Sequence, residues 1–293
     1  MTAVADAVVA TAESPARARG TRRTPPPTRG QRQSALFRMR ADIPPGLGAG
    51  LAVGGVVALL GGWTLASAAM DTFLFPTPAA TWDAGVEWWR KGDLTVDLTA
   101  SVRRIAIGYS ISVVLGVVFG VLMASFRSAE SFLEPQTALL RYIPASALTP
   151  LFLVWLGIDE SPKITLIIVG TVFFNVLMVA DVARAVPQEE VDAAYTLGAG
   201  RLRVLRQVVL PHSWPGIVDV ARINLAAGWL MLVVAELLAA DEGLAFRMVR
   251  AGRFRRIDTM FAVLVVFALI GLISDMSLRQ LRKRTAPWSE GSR

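Results

Sequence analysis

The sequence lacks cysteine altogether and has a single histidine, His212, in 293 residues. The absence of cysteine excludes a disulfide framework and a zinc site built from thiolates. One histidine excludes a metal centre that needs several imidazole ligands. We therefore predict no metal site, and no pattern in the sequence predicts a catalytic residue.

A phosphate-binding loop is also missing from the sequence. The pattern Gly-x-x-x-x-Gly-Lys-Ser/Thr binds nucleotide phosphates through its backbone amides and its lysine. Gly50 and Gly55 have the required separation, but Val56 occupies the position of that lysine. ATP hydrolysis is therefore not expected in this chain.

Charged residues are scarce, at 18% of the chain, and the formal net charge is +7. Residues 1–47 carry +5 and residues 275–293 carry +3, so the body between them is close to neutral. A protein that binds nucleic acid concentrates positive charge on a folded surface. Nucleic acid is therefore not an expected partner.

Apolar residues are abundant and make up 54% of the chain. A helix that crosses the hydrocarbon core of a bilayer needs about 20 apolar residues, and six stretches are candidates. They are apolar on every side, unlike the amphipathic helices of a soluble protein. We predict an all-α, polytopic membrane protein with six transmembrane helices. The six stretches are Leu47–Met70, Ile105–Ser125, Thr137–Ile158, Ile164–Ala180, Ile223–Ala240 and Thr259–Ser274.

With six spans, both tails lie on one side of the membrane. Their arginines place both termini in the cytoplasm by the positive-inside rule, together with the loop 181–222. One segment disagrees with this topology, because the last external loop is rich in arginine. An inverted topology and a five-span topology remain as alternatives. The arginines of this loop are Arg247, Arg250, Arg253, Arg255 and Arg256.

The chain divides into five segments. Residues 1–47 are rich in Arg and Pro and lack apolar periodicity, which predicts a disordered basic cytoplasmic tail. The other segments are a first transmembrane helix (48–70), an external connector (71–96), a five-helix core (97–278) and a second basic cytoplasmic tail (279–293).

The loop 187–211 between the fourth and fifth spans has the pattern of two short helices around a glycine turn. Gly198 and Gly200 interrupt the first helix, and Pro211 is expected to end the second. Such a helix pair could lie on lipid headgroups. The small residues around Ala193 favour docking into a groove of another protein instead.

This loop resembles the signature of the permease subunits of type I binding-protein-dependent ABC importers. That signature reads Glu-Ala-Ala, three residues, Gly, nine residues, Ile, one residue, Leu-Pro. The present chain keeps every spacing and departs from the signature twice, with Asp in place of Glu and Val in place of Ile. The matching residues are Asp192, Ala193, Ala194, Gly198, Val208, Leu210 and Pro211.

Three further segments are similar to the nitrate, sulfonate and taurine permeases of this family. They are Phe75–Pro78 after the first span, Arg141–Pro144 in the third, and Val233–Leu237 in the fifth. The resemblance covers about residues 72–278. Only the tails lie outside it.

The resemblance implies the type I ABC importer permease fold and a set of partners. A separate ATP-binding subunit would bind ATP and Mg²⁺, and this chain would hold no cofactor. An external substrate-binding protein would deliver a small, anionic solute such as a sulfonate, taurine or nitrate. Two identical permeases would surround the pathway in a bacterial inner (plasma) membrane, and loop 187–211 would couple ATP hydrolysis in the partner to alternating access.

Polar residues within the spans are candidates for the transport pathway, because ionisable groups are costly in a membrane. Glu236 is expected near the external end of the fifth span, where it shapes a gate or pairs with an arginine across the pore. A carboxylate wetted by external water is the alternative. Thr171 and Asn175 either face the pathway or form hydrogen bonds between helices.

The external arginines Arg253, Arg255 and Arg256 have two interpretations. They raise the local concentration of an anionic substrate by electrostatic focusing, or they belong to the scaffold before the last span. For the whole chain, a secondary transporter driven by an ion gradient is the competing function. That class usually needs midplane acids or repeated halves, and the sequence offers neither.

Overall fold

The structure is a computed structural model, and it describes residues 45–71 and 73–288 except for the side chains at positions 45, 238 and 239. Every regular element in these ranges is helical. The predicted tail 1–47 lies almost entirely outside them. The described elements include a 3₁₀ turn (Ala145–Leu148) and a π-helical turn (Leu205–Val209). The α-helices are α1 (Pro45–Ala69), α2 (Pro78–Arg90), α3 (Asp93–Ser125), α4 (Arg127–Leu140), α5 (Thr149–Leu156), α6 (Glu160–Arg184), α7 (Gln188–Thr196), α8 (Arg201–Val204), α9 (Leu210–Ala239), α10 (Leu244–Arg253) and α11 (Ile257–Thr285).

Five helical segments of the described chain are long and apolar enough to cross a membrane: α1, α3, α6, α8 with α9, and α11. They coincide with five of the six predicted stretches, although the first and fifth of these stretches extend past the helix ends, to Met70 and Ala240. The third predicted stretch, Thr137–Ile158, is bent by 80° between α4 and the segment Ala145–Leu156. Pro144 lies at this bend and has an extended backbone (φ −60°, ψ 113°). Proline disrupts a helix interior, which explains why the helix is interrupted here. The number of spans is six when the bent pair counts as one.

The chain divides into two units, residues 1–60 and residues 61–293. The described part of the first unit is the beginning of α1. The second unit contains the remaining helices, and all contacts discussed below lie within it.

Glycines bring α3 and α6 of the second unit into close contact. A Cβ atom at Gly116 would lie 2.6 Å from the Cβ atom of Asn175, and one at Gly120 would lie 2.7 Å from the carbonyl oxygen of Val176. The Gly-x-x-x-Gly spacing therefore serves helix packing inside the chain. α9 packs against α6 as well, so three helices form the centre of the bundle.

α3 connects the two ends of this bundle. Asp93 at its start is ion-paired with Arg247 of α10 (2.9 Å), whereas Val121 near its end packs in one cluster with Val204 and Val209. We call the end that carries α2 and α10 the distal end, and the end that carries α7 and α8 the loop end.

The prediction that Pro211 ends the second loop helix is wrong. Helical backbone continues from Arg201 to Ala239, because α8 passes through the π turn into α9. In this turn the amide of Leu210 donates to the carbonyl of Leu205, five residues earlier. The change in hydrogen-bond register accommodates the proline ring, which in a regular α-helix would clash with the carbonyl four residues earlier. The loop therefore leads into the fifth span without a break.

Candidate functional site

At the loop end, the helix α7 ends in a glycine turn. Gly198 has a left-handed backbone (φ 80°). Its amide donates to the Tyr195 carbonyl (2.9 Å), and the amide of Ala199 donates to the Ala194 carbonyl (3.0 Å). These two bonds define a Schellman motif, which favours glycine because left-handed backbone costs other residues about 1–2 kcal/mol. The second predicted glycine, Gly200, has an ordinary extended backbone (φ −75°, ψ 160°).

One side of the loop packs onto the bundle. Val191, Ala194 and Val208 are partly buried against a cluster of aliphatic side chains. That cluster includes Val121 of α3 and Val179 of α6. A displacement of the loop therefore reaches the ends of these two helices through direct contact.

The other side of the loop is exposed and apolar. Leu197 is 88% exposed, Leu202 is 58% exposed and Tyr195 is 46% exposed. Exposed apolar surface concentrated in this way is typical of a site that binds another protein or a membrane. Of the signature residues, Asp192, Ala193, Gly198 and Pro211 are exposed, whereas Ala194, Val208 and Leu210 are partly buried.

At the distal end, a buried guanidinium joins four segments of the chain. Arg104 of α3 is 1% exposed. Its Nε and Nη2 atoms donate to the two carboxylate oxygens of Glu160 on α6 (both 2.7 Å). Its Nη1 atom donates to Oε1 of Glu236 on α9 (2.9 Å) and to the carbonyl of Glu242 before α10 (2.7 Å). An ion pair at this depth is costly to break, because loss of one partner leaves the other charge buried and unpaired.

Side chains of the same network cap the start of α10. The first three amides each donate to a side-chain oxygen 2.9 Å away. Such amides have no partner within the helix, and carboxylates also favour the positive end of the helix dipole. A Cβ atom at position 243 would lie 2.5 Å from the Glu236 carboxylate, so this position requires glycine. The pairs are Gly243 with Asp97, Leu244 with Ser101, and Ala245 with Glu236.

The predicted pathway residues lie in two buried sites. The Glu236 side chain has an exposed fraction of 0% and belongs to the distal network, so it pairs with an arginine of its own chain rather than with external water. Thr171 and Asn175 each donate to Oγ of Ser112 (2.7 and 2.9 Å), and Asn224 donates to Asn175 (2.9 Å). These bonds join α3, α6 and α9. A role for any of the three residues in a pathway or gate stays a prediction.

The predicted external arginines differ in their surroundings. Arg256 is ion-paired with Glu87 (2.8 Å) and with Asp258 (3.3 Å). Hydrogen bonds from Arg256 and from Lys91 lower the pKa of Glu87 to about 2, and the bond with Glu87 raises the pKa of Arg256. Arg253 and Arg255 are exposed and form no ion pair with any described residue.

The sequence reasoning missed the distal network. Asp97, Ser101 and Arg104 are spaced by four and three residues, which places them on one face of α3. They precede Ile105, where the apolar stretch begins, and hydropathy alone therefore leaves them at the edge of the span. The signal that could have found them is a carboxylate, a hydroxyl and a guanidinium on a single helix face.

Comparison with known proteins supplies a family. The family described as "Binding-protein-dependent transport system inner membrane component" matches residues 113–287. The taurine transport system permease protein TauC of Escherichia coli is 36% identical over 233 residues, which cover 77% of this chain and 84% of that protein. The putative aliphatic sulfonates transport permease protein SsuC of Bacillus subtilis is 31% identical over 230 residues, covering 78% and 82%.

A probable ABC transporter permease protein of Brucella abortus is 35% identical over 231 residues, covering 79% of this chain and 92% of that protein. Among solved structures, an inward-facing conformation of the MetNI methionine ABC transporter gives a TM-score of 0.57 at 20% identity, over 69% of this chain and 98% of that one. At this identity the likeness concerns the fold alone.

Proposed function

The chain belongs to the family of inner membrane components of binding-protein-dependent transport systems, and from this premise we propose that it is the permease subunit of an ATP-driven importer for a small sulfonate-type anion. The observation that carries the proposal is the loop 187–211. Its signature residues extend from α7 to the start of α9. The loop packs onto the bundle on one side and exposes Leu197, Leu202 and Tyr195 on the other.

The exposed side of the loop binds the ATP-hydrolysing subunit in this proposal. ATP and Mg²⁺ are held by that subunit, and its closure moves the loop. The motion enters the bundle by two routes. One is the contact of Val191 and Ala194 with the aliphatic cluster, and the other is the continuous helical backbone from Arg201 into α9.

The distal end receives the solute from an external binding protein. Two permease copies surround the pathway in the bacterial inner membrane, since one set of spans forms half of a channel and twofold pairing is the common solution. Both termini are cytoplasmic, which places the loop end on the side where ATP is available.

Taurine and aliphatic sulfonates are the substrates suggested by the names of the relatives. Anion attraction at the distal end would depend on Arg253 and Arg255, because the charge of Arg256 is already balanced by Glu87 and Asp258. A secondary transporter is not favoured. The buried acids found in the described spans, Glu236 among them, lie at the distal end and are bound to arginines.

Reconstitution tests this function. The permease is placed in proteoliposomes with its ATP-binding subunit inside and its binding protein outside, and uptake of labelled taurine is measured. We expect uptake that requires ATP and that persists in the presence of an uncoupler. Uptake that continues without the ATP-binding subunit and collapses with an uncoupler would show a secondary transporter instead.

A further inference from the structure

The five arginines between α9 and α11 fall into two groups. Arg247 is bound to Asp97 and Asp93 (2.7 and 2.9 Å), and Arg256 is bound to acids as described above. The other three form no ion pair within the part of the chain that the structure describes. They are Arg250, Arg253 and Arg255, and all are exposed.

α10 carries two of these free arginines across the distal end of the bundle. It packs against α3, α9 and α11, and Leu244, Ala245 and Ala251 on its apolar side are buried. A helix that lies in a lipid interface uses its apolar side to enter the membrane. In α10 that side is occupied by protein, so the arginines face away from the bundle.

The third free arginine, Arg255, lies in the turn after α10 and has an unfavourable backbone conformation. The amides of Arg255 and Arg256 donate to the carbonyls of Gly252 (3.0 Å) and Ala251 (2.9 Å), which is the Schellman pattern found at Gly198. Here the left-handed residue is Arg255 (φ 56°), and it is the one residue other than glycine with a positive φ in the described ranges. Glycine would adopt this conformation more favourably by about 1 kcal/mol, so the turn itself does not account for arginine.

A cleft of about 220 Å³ lies beside this turn, between α2 and α10. Its lining includes Trp88, Arg250 and Phe254, and Phe254 is also 71% exposed. Arginine and large aromatic residues provide most of the binding energy in protein interfaces. The lining also contains Glu87 and Asp93, which are ion-paired with its other cations, so Arg250 is the cation of the cleft that is available to a carboxylate of a partner.

We propose that Arg250, Arg253, Phe254 and Arg255 form a docking surface for an acidic face of the external binding protein. We call these four residues the arginine turn. The inference rests on the proposed function, which supplies a binding protein as the partner. A free small anion fits the geometry less well, because only Arg250 of the three free arginines lines the cleft, whereas several cations spread along a projecting turn suit an extended acidic surface.

The surface is tested with the full-length permease and its ATP-binding subunit in phosphatidylcholine nanodiscs, with fluorescent poly-L-glutamate as the probe. We expect the probe to bind more weakly at about 0.3 M salt than at about 0.05 M, since salt screens exposed charges. The variant Arg250→Gln/Arg253→Gln/Arg255→Gly should weaken binding about tenfold. The matched control, Arg127→Gln/Arg279→Gln/Arg284→Gln, removes three exposed charges from the loop end and should bind as the wild type does.

The single variant Arg255→Gly separates structure from docking. It should unfold at the same temperature as the wild type or higher, because glycine relieves the left-handed backbone, and it should still bind the probe more weakly. Equal binding by wild type, triple variant and single variant would overturn the proposal. Displacement of the probe by millimolar inorganic sulfate would also overturn it, because it would show a small-anion site.

Taurine uptake by intact cells provides the functional test. The triple variant should need about ten times more taurine for half-maximal uptake, since loss of interface charges slows association, while the control triple stays near the wild type. Normal uptake by the triple variant would refute docking at this surface. If the wild type takes up no taurine, the proposed substrate is wrong, and the nanodisc measurements still test whether the arginine turn is a docking surface.

Discussion

The same helix-ending turn occurs at the two ends of the bundle, and the two copies differ in the type of residue at the left-handed position. After α7 the left-handed position is Gly198, whereas after α10 it is Arg255. At the loop end the turn forms without strain and its exposed neighbour is Leu197. At the distal end the same position is occupied by Arg255, which is exposed and has a left-handed backbone that is unfavourable for residues other than glycine. The loop end is thus organised around shape and apolar contact, and the distal end around charge.

The interiors of the two ends differ in the same way. The loop rests on an aliphatic cluster that includes Val121 and Val179, in which a changed contact leaves no charge unpaired. The distal end rests on the buried pairs of Arg104 with Glu236 and Glu160, where each charge depends on its partners. Substitutions in the buried distal network should therefore act mainly on stability, and substitutions on the exposed side of the loop should act mainly on association.

The largest effect is expected for Arg104→Met. The substitution leaves the Glu236 carboxylate buried without its partner, which should lower the free energy of unfolding by about 3–5 kcal/mol. Denaturant titration of the purified permease measures the loss. Arg103→Met is the matched control, because Arg103 is the exposed neighbour of Arg104 and should change stability by less than about 0.5 kcal/mol. Equal stability of the two variants would remove the contrast between the ends.

At the loop end, Leu197→Asp should leave stability within about 0.5 kcal/mol of the wild type, because the side chain is 88% exposed. The same variant should bind the ATP-binding subunit at least about tenfold more weakly, since a buried charge would replace an apolar contact. Co-purification and light scattering measure the complex. Leu197→Met should bind normally, and a normal complex with Leu197→Asp would place the contact elsewhere.

The smallest effect is expected for the exposed pair of Glu87 and Arg256. The pKa of Glu87 falls from 4.5 to about 2 in the folded protein. The folded carboxylate therefore contributes stability that is fully present above pH 4.5 and is lost as the pH falls toward 2. Glu87→Gln removes this contribution, so its unfolding temperature should lie slightly below that of the wild type by the same amount at every pH between 5 and 8, and the two should converge as the pH falls toward 2. A difference that varies across that range would show that another group titrates with it.

The loop and the spans could be predicted because their signals are local. A glycine at the end of a short helix and a long apolar stretch act through neighbouring residues. The bond between Arg104 and Glu236 joins residues 132 positions apart. No local sequence pattern predicts Glu236 as the partner of Arg104. The prediction for Pro211 failed because the π turn before it changes the hydrogen-bond register and accommodates the proline ring, which the apolar pattern of the loop does not indicate.

The central claim is that the loop transmits ATP-driven motion, and a comparison of Gly198→Val with Gly200→Val in ATP-driven uptake tests it most directly. A Cβ atom meets nothing within 4 Å at either glycine, so the two variants differ in backbone demand alone. Gly198→Val should abolish taurine uptake and loosen the complex with the ATP-binding subunit while the permease stays inserted. Gly200→Val should keep uptake within about twofold, because an extended backbone suits valine. Undiminished ATP-driven uptake by Gly198→Val would contradict the account.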